Sequence, residues 1–226
     1  MKYSTVFLDM DRTIFDFDAA EKDSFFTAFN NFIGRCNENI YNEYHKINSF
    51  YWKEFELGHV NISDLKIMRF SDLFKKLNIN FSGKEFNEYY IENLSQSPQI
   101  YEGSKEVCKY LKNKYKVIIL TNGIAKNQRN RLKLSHIDNY IDYAVISEEI
   151  GSAKPQKEIF SFAMKKSGET DKNKIIMIGD DLNADIKGAK NFGIASIWTN
   201  YTHNPNTSNV KPDFEISDIQ EIYNIL

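Results

Sequence analysis

A short apolar run near the start of the sequence leads directly into two aspartates. Every residue of Thr5–Leu8 is apolar or β-branched, which is typical of a strand buried on both faces of a parallel sheet. Asp9 and Asp11 follow, and open α/β sheets bind ligands at the carboxyl ends of their strands. Because two acids held close together repel each other, such a pair needs a cation or a shared proton. Oxygen ligands without clustered His or Cys indicate Mg²⁺, although an ordinary polar loop would contain the same residue types.

Composition excludes several classes of protein. The 226 residues carry a net charge of −2 without a basic block, which gives no support for binding a nucleic acid polymer. No stretch approaches the length of a membrane span, and no apolar segment of a signal peptide precedes the first strand. Cys36 and Cys108 lie far apart and form no metal or redox motif. We therefore expect free thiols in a cytoplasmic protein that does not bind a membrane.

Residues 17–95 show helical periodicity and no convincing strand. Asp18 and Glu21 have the spacing of a capping box for the first helix, and Ser63 is a suitable N-cap for the third. The predicted helices cover residues 18–33, 41–57, 63–77 and 84–94. The sequence therefore predicts an all-α helical bundle, residues 17–95, inserted after the first strand.

After Pro98 the sequence alternates between short apolar runs and helical segments. The predicted strands cover residues 117–120, 143–146, 175–178 and 195–198, with a short edge strand at 214–216. Helices are predicted over residues 104–114, from 123 to 134, and over 155–166, 184–192 and 219–225. Such alternation predicts an α/β fold, a Rossmann-like doubly wound parallel sheet with helices on both faces. Residues 1–16 and 96–226 would form this core domain.

Polar residues suited to phosphate and metal binding follow successive predicted strands. Thr121 and Asn122 offer a hydroxyl, an amide and backbone N–H groups where a helix begins, which suits an anion. Lys154 precedes another helix, where a lysine is ordinarily a solvated loop residue. Asp180 follows a buried strand, and Asp185 comes soon after, where it could simply stabilise the first turn of a helix. Each residue has an ordinary explanation when it is taken alone. The repeated placement of such residues after successive predicted strands has none.

Taken together, these motifs resemble the four ordered motifs of the haloacid dehalogenase-like (HAD) hydrolases. The matching residues are Asp9-Met10-Asp11-Arg12-Thr13, Thr121, Lys154 and the stretch 179–185. Within that superfamily the chain is most similar to the pyrimidine 5′-nucleotidases of the capped phosphatase branch. The stretches behind this second similarity are 14–18, 51–58 and 145–155. The resemblance implies that the helical insertion is a cap domain on a HAD-like core.

The resemblance also implies a phosphomonoesterase that works through an aspartyl-phosphate. Asp9 would attack phosphorus, and Asp11 would protonate the leaving alkoxide and later accept a proton from water. Mg²⁺ would be held by Asp9, the backbone carbonyl of Asp11 and Asp180.

Further residues would bind the phosphoryl group. Thr121, Lys154 and the backbone N–H of Asn122 would hold its oxygens, and Asp185 would orient Lys154 or a metal-bound water. Asp181 could touch a metal-bound water or face solvent, so it is left out of the metal set.

The predicted substrate is a small phosphorylated metabolite, a nucleoside monophosphate, hydrolysed by a monomer or small homo-oligomer. Alternatives are a phosphatase for phosphoglycolate or a sugar phosphate, a haloacid dehalogenase, and a non-catalytic binding module. Asp11 argues against the dehalogenase, because that chemistry needs the nucleophile but no second carboxylate. The complete set of motif residues argues against the binding module.

Substrate choice would come from residues outside the motifs. Phe17 and Trp52 are candidates, because a flat ring can stack on a nucleobase. A place in the core of the cap is the simpler explanation for any one of these aromatic residues. Arg12 occupies a variable position of the first motif and receives no catalytic role.

Overall fold

The computed structural model describes residues 2–206 and 208–226. The described chain forms two compact units, one made of Met1–Phe17 with Pro98–Leu226 and the other of Asp18–Ser97. We propose that these units are the core and inserted domains, whose predicted boundaries lie within two residues of these limits. Among the described residues, no helix combines the length and apolar character needed to cross a membrane.

The first unit contains a parallel sheet. Its strands, as far as the chain is described, are β1 (Thr5–Leu8), β2 (Lys116–Thr121), β3 (Tyr143–Ile146), β4 (Ile175–Gly179), β5 (Ala195–Thr199) and β6 (Phe214–Ile216). They lie side by side in the order β3-β2-β1-β4-β5-β6, and each neighbouring pair is parallel. This is the strand order of a Rossmann-like sheet, so the predicted fold is confirmed. The strand order changes direction between β1 and β4, because β2 and β3 lie on one side of β1 and the later strands lie on the other. Such sheets bind ligands at this switch point.

Helices occupy most of the remaining chain. They are α1 (Phe17–Phe32), α2 (Glu38–Glu56), α3 (Ile62–Lys76), α4 (Gly83–Ser95), α5 (Ser104–Lys114), α6 (Ala125–Ser135), α7 (Ser147–Ile150), α8 (Lys157–Ser167) and α9 (Lys187–Phe192). Three-residue-per-turn helices cover Ile137–Tyr140, Lys172–Lys174 and Ile219–Asn224, and a π-helical turn covers Leu182–Ile186. The single helix predicted over residues 184–192 is therefore wrong in part, because a π-helical turn occupies its first residues and α9 follows.

Alternate residues of β1 face two separate apolar cores. Val6 and Leu8 pack with Val107 and Leu111 of α5 on one face of the sheet. Phe7 packs on the other face, in a core shared with α8 and α9. All three β1 side chains are fully buried, and burial of each such side chain is worth about 1.5–3 kcal/mol. The strand that leads directly into the predicted nucleophile, Asp9, is therefore fixed from both sides.

Stacked aromatic rings form the core of the second unit. The ring centroid of Tyr44 on α2 lies 4.3 Å from that of Phe25 and 5.5 Å from that of Phe70, in stacked arrangements. Phe86 on α4 meets the ring of Phe70 edge to face at 4.9 Å. Such pairs contribute about 0.5–1.5 kcal/mol each beyond the area that they bury. Many aromatic residues of the insertion thus belong to its core, as the simpler explanation expects.

A polar network crosses this aromatic core. Glu21 accepts hydrogen bonds from the Tyr44 hydroxyl at 3.3 Å and from the Asn48 amide at 2.8 Å. The guanidinium of Arg69 donates to the amide oxygens of Asn48 and Asn87, both at 2.9 Å. All five side chains are buried, so helices α1 to α4 are tied together through polar contacts as well as apolar ones.

Two predicted helix caps differ from the observed ones. The capping box assigned to Asp18 is wrong, because α1 already begins at Phe17 and Asp18 lies within its first turn. The N-cap of α3 is Asn61 and not Ser63, and its side chain accepts a hydrogen bond from the Asp64 backbone N–H at 2.9 Å. Both kinds of residue suit an N-cap, so the sequence alone does not separate candidates two residues apart.

Candidate active site

The acids predicted to bind a metal gather at the carboxyl ends of β1 and β4. Asp9 follows β1, and its backbone N–H donates a hydrogen bond to the carbonyl of Ile178 in β4 at 2.9 Å. Asp180 follows β4, and Asp185 lies in the π-helical turn beyond it. One carboxylate oxygen from each acid lies within 4.8 Å of the others. The sheet thus brings residues nearly 180 positions apart into one cluster.

Lys154 lies between two of these acids. Its Nζ is 2.5 Å from Asp9 Oδ1 and 2.6 Å from Asp185 Oδ1. Lys154, Asp9 and Asp185 are exposed by only 2%, 5% and 1%. The lysine was predicted to bind phosphate, and its burial between two acids rules out the alternative of a solvated loop residue.

Burial changes the acidity of the cluster. It raises the pKa of Asp9 from 3.8 to about 7, although Lys154 opposes this increase. Burial and the nearby carboxylates of Asp9 and Asp185 hold the pKa of Asp180 well above its ordinary value. Burial alone would lower the pKa of Lys154, but the charges of Asp185 and Asp9 raise it. The cluster thus holds three acids against one lysine, and all of these side chains are buried except that of Asp180, which is half-buried.

The donor set of the cluster fits a divalent cation. Carboxylate oxygens that repel one another are the ligands that Mg²⁺ prefers, and a cation would relieve that repulsion. The structure gathers the side chains of Asp9, Asp180 and Asp185, whereas the sequence predicted Asp9, Asp11 and Asp180. The carboxylate of Asp11 is engaged by residues of α6, so the predicted contribution of Asp11 stays limited to its backbone carbonyl.

The side chain of Asn122 holds the loop that carries Lys154. Its Oδ1 accepts a hydrogen bond from the Lys154 backbone N–H at 2.8 Å, and its Nδ2 donates to the Lys154 carbonyl at 2.9 Å. The Ser147 hydroxyl donates to the Asn122 carbonyl at 3.1 Å. The sequence predicted that the amide and backbone N–H of Asn122 suit an anion, and the family resemblance implied phosphate binding by the backbone N–H. The structure shows the side-chain amide in paired contacts that fix the backbone of Lys154, and phosphate binding by Asn122 stays a prediction.

Thr121 ends β2 with its hydroxyl held in place. Its Oγ1 accepts hydrogen bonds from the Gly123 backbone N–H at 3.1 Å and from Gln128 Nε2 at 2.8 Å. A Cβ at position 123 would lie 2.3 Å from that same Gln128 nitrogen, so only glycine allows the contact. The turn after β2 is therefore shaped to keep the Thr121 hydroxyl fixed.

Asp11 meets two side chains that the sequence analysis did not identify. Arg131 Nη1 donates to Asp11 Oδ1 at 2.5 Å, and Gln128 Nε2 donates to Asp11 Oδ2 at 2.8 Å. Both donors lie on α6, three residues apart and hence on the same helix face. The sequence offers only a weak signal, a polar pair at this spacing on the helix that follows Thr121-Asn122-Gly123, and exposed helix faces often carry such pairs.

Asp181 has a structural task. Its Oδ1 accepts hydrogen bonds from the backbone N–H groups of Asn183 at 2.7 Å and Ala184 at 2.8 Å, and so caps the π-helical turn. Its own backbone N–H donates to Asp185 Oδ2 at 3.1 Å. Trp198 of β5 adds a contact that sequence analysis missed, since its Nε1 donates to the Asp180 carbonyl at 2.7 Å.

The two specificity candidates lie in different units. Phe17 is the last residue of the first unit, and the guanidinium carbons of Arg12 and Arg131 lie 5.1 and 5.7 Å from its ring centroid. Trp52 lies on α2 in the second unit, half-buried, with its ring edge-on to Phe55 at 5.8 Å. The role of either residue in substrate choice stays a prediction.

Comparison with known proteins shows the family to which the chain belongs. Residues 3–193 match the family of haloacid dehalogenase-like hydrolases. The chain is 30% identical to the pyrimidine 5′-nucleotidase YjjG of Escherichia coli, over 100% of this chain and 99% of that protein. It is 32% identical to the pyrimidine 5′-nucleotidase PynA of Streptococcus pneumoniae, over 100% of this chain and 96% of that protein. The crystal structure of the HAD-hydrolase YfnB from Bacillus subtilis bound to magnesium matches with a TM-score of 0.94 and 30% identity, covering 100% and 99% of the two chains.

The family match and the full-length relatives identify this chain as a hydrolase. The chain belongs to the haloacid dehalogenase-like hydrolases, and the family resemblance seen in its motifs is confirmed. The predicted similarity to pyrimidine 5′-nucleotidases is confirmed as well, by two relatives that match over its full length.

Proposed function

We propose that this hydrolase is a Mg²⁺-dependent phosphomonoesterase that acts on nucleoside monophosphates through an aspartyl-phosphate. The observation that carries the proposal is the contact of Lys154 Nζ with Asp9 Oδ1, beside Asp180 and Asp185 at the switch point of the sheet. A buried carboxylate next to a buried ammonium suits attack on an anionic phosphate, because the lysine can hold phosphoryl oxygens while the acid attacks.

Two residues carry the covalent chemistry in this proposal. A carboxylate oxygen of Asp9 forms a bond to phosphorus as the ester P–O bond breaks, and Asp11 gives a proton to the departing oxygen. Water then attacks phosphorus, Asp11 takes a proton from that water, and the bond between Asp9 and phosphorus breaks. Phosphate leaves and both acids return to their starting state.

Other residues bind and orient. The Thr121 hydroxyl, the Asn122 backbone N–H and Lys154 Nζ hold the phosphoryl oxygens, and Asp185 keeps Lys154 in place through its 2.6 Å contact. Asp9, Asp180 and the Asp11 carbonyl would hold Mg²⁺. When bound, Mg²⁺ offsets the repulsion between the attacking carboxylate and the phosphate.

The nucleotide substrate is supported by the relatives. Two of the curated relatives that match over the whole chain are named as pyrimidine 5′-nucleotidases. The test is a panel of purine and pyrimidine nucleoside monophosphates, sugar phosphates and phosphoglycolate, with released phosphate as the readout. We expect kcat/KM to be highest for a pyrimidine nucleoside monophosphate. A higher kcat/KM for phosphoglycolate or a sugar phosphate would replace the nucleotide with that substrate, and no release from any phosphomonoester would reject the phosphatase.

Trp52 provides a separate test of substrate choice. We expect Trp52→Ala to raise KM for nucleoside monophosphates about tenfold, the effect of losing one stacking contact of about 1–3 kcal/mol. Hydrolysis of p-nitrophenyl phosphate should barely change, because the phosphoryl site is untouched. Trp52→Phe keeps a flat ring at the same position and serves as the matched control. If the ratio of nucleotide to aryl phosphate activity is the same in all three proteins, Trp52 is a structural residue of the cap.

A further inference from the structure

Both carboxylate oxygens of Asp11 are bound by donors from one helix. Arg131 Nη1 lies 2.5 Å from Oδ1, and Gln128 Nε2 lies 2.8 Å from Oδ2. The carboxylate can therefore rotate only if it gives up a contact. None of the family motifs identified in the sequence includes either donor.

The guanidinium of Arg131 is itself held firmly. Its side chain is fully buried, its central carbon lies 4.5 Å from the ring centroid of Phe15, and its Nη1 also contacts Gln128 Oε1 at 3.3 Å. Arg129 on the same helix differs, because it is exposed and pairs with Glu149 at the surface. A buried arginine loses little freedom when it binds a carboxylate, since its planar fork is already in place.

Gln128 connects Asp11 to the phosphoryl-binding residues. Its Nε2 donates both to Asp11 Oδ2 and to the Thr121 hydroxyl, each at 2.8 Å. One amide nitrogen, Gln128 Nε2, thus sets the distance between the Asp11 carboxylate and the Thr121 hydroxyl. Helix α6 holds these two parts of the site in register.

We propose that Arg131, assisted by Gln128, is a positioning residue that aims the Asp11 carboxylate for proton transfer. The proposal rests on the proposed role of Asp11 as general acid and base. A proton donor must lie within hydrogen-bond reach of the atom that it serves, and a displacement of about 1 Å can cost a factor of about 100. Arg131 acts through Asp11 and touches no reacting atom.

Arg131→Met tests the proposal because it removes the charged donor but keeps an unbranched side chain beside the ring of Phe15. We expect kcat for a nucleoside monophosphate to fall about 100-fold with KM within about threefold. With p-nitrophenyl phosphate the leaving group needs no acid, so phosphorylation of Asp9 should proceed and dephosphorylation should become limiting. Rapid mixing should then show a burst of nitrophenol close to one equivalent per protein molecule. The burst amplitude counts intact sites, so a folding defect would lower it.

Three matched variants sharpen the test. Arg129→Met removes an arginine two residues away on the same helix and should leave kcat unchanged. Arg131→Lys keeps one charged donor and should recover at least tenfold of the lost kcat. In an Asp11→Asn background, Arg131→Met should cost no more than about threefold, because the residue that it positions is already disabled.

The outcomes separate this proposal from the proposed function. If the wild-type protein releases no phosphate from any phosphomonoester, the proposed function fails and the arginine is not at issue. If the wild-type protein is active and Arg131→Met matches it within threefold, the positioning role is wrong. Two further results would show that Arg131 supports the fold alone. One is a further loss of kcat of about 100-fold when Arg131→Met is added to Asp11→Asn. The other is a burst amplitude that falls in proportion to kcat.

Discussion

Asp9→Asn should abolish turnover while the fold remains intact. The amide is nearly isosteric with the acid but cannot form an acyl phosphate, so we expect kcat to fall at least about 1000-fold, a barrier increase of about 4 kcal/mol. Phosphate release from p-nitrophenyl phosphate measures this, and circular dichroism checks the fold. A variant that retains turnover within tenfold of the wild-type value would contradict the assignment of Asp9 as nucleophile.

The same substitution should stabilise the metal-free protein. Because the pKa of Asp9 is raised from 3.8 to about 7, the folded state binds more protons than the unfolded state between these values. The free energy of unfolding therefore falls as pH rises through that range. In chelator at pH 8, Asp9→Asn should melt at a higher temperature than the wild type, and the difference should shrink below pH 4. Asp138→Asn replaces an exposed acid and should show neither effect. Equal melting temperatures across the range would contradict the electrostatic cost assigned to Asp9.

Removal of the metal is the second large effect. We expect activity to vanish after exhaustive chelation and to return with Mg²⁺, because a cation is needed to balance Asp9, Asp180 and Asp185. Ca²⁺ should inhibit, since it accepts longer and more numerous oxygen contacts and can engage both oxygens of the nucleophile. Full activity in the chelated protein would overturn the metal site.

A melting experiment separates metal binding from turnover. Mg²⁺ should raise the melting temperature of the wild-type protein, because a ligand that binds only the folded state stabilises it. Asp180→Asn should lose this shift. Asp181→Asn is the matched control, because its side-chain oxygen can still cap the π-helical turn and it lies outside the acid cluster. Loss of the shift in Asp181→Asn alone would move the metal site to that residue.

Local sequence patterns predicted the parallel strands well. Every residue of β1 is apolar or β-branched because both faces of the strand are covered, and this pattern can be read from the strand's own sequence. The strand ends then follow from the first polar residues, which is why Asp9, Thr121 and Asp180 could be identified directly. Their shared edge follows from the rule that parallel strands end on the same side.

Residues that act through other residues were harder to predict. Nothing local shows that Gln128 and Arg131 bind Asp11, since more than 110 positions separate the partners and helices often carry exposed polar pairs. The π-helical turn was missed because it depends on a backbone carbonyl, that of Asp181, accepting from Ile186 as well as Asp185. Whether Asp185 or the Asp11 backbone completes the metal set is likewise a matter of three-dimensional placement.

The buried polar network of the helical unit limits how its helices can pair. Aromatic rings alone would tolerate a helix rotated or shifted by one turn, because flat apolar surfaces pack in many ways. A shifted α2 or α3 would separate Asn48 from Glu21 and Arg69, and an unpaired buried charge costs several kcal/mol. The network therefore raises the free energy of a wrong helix pairing by more than it lowers the free energy of the native pairing. It thus favours the one pairing of helices in which Glu21, Asn48, Arg69 and Asn87 all have partners.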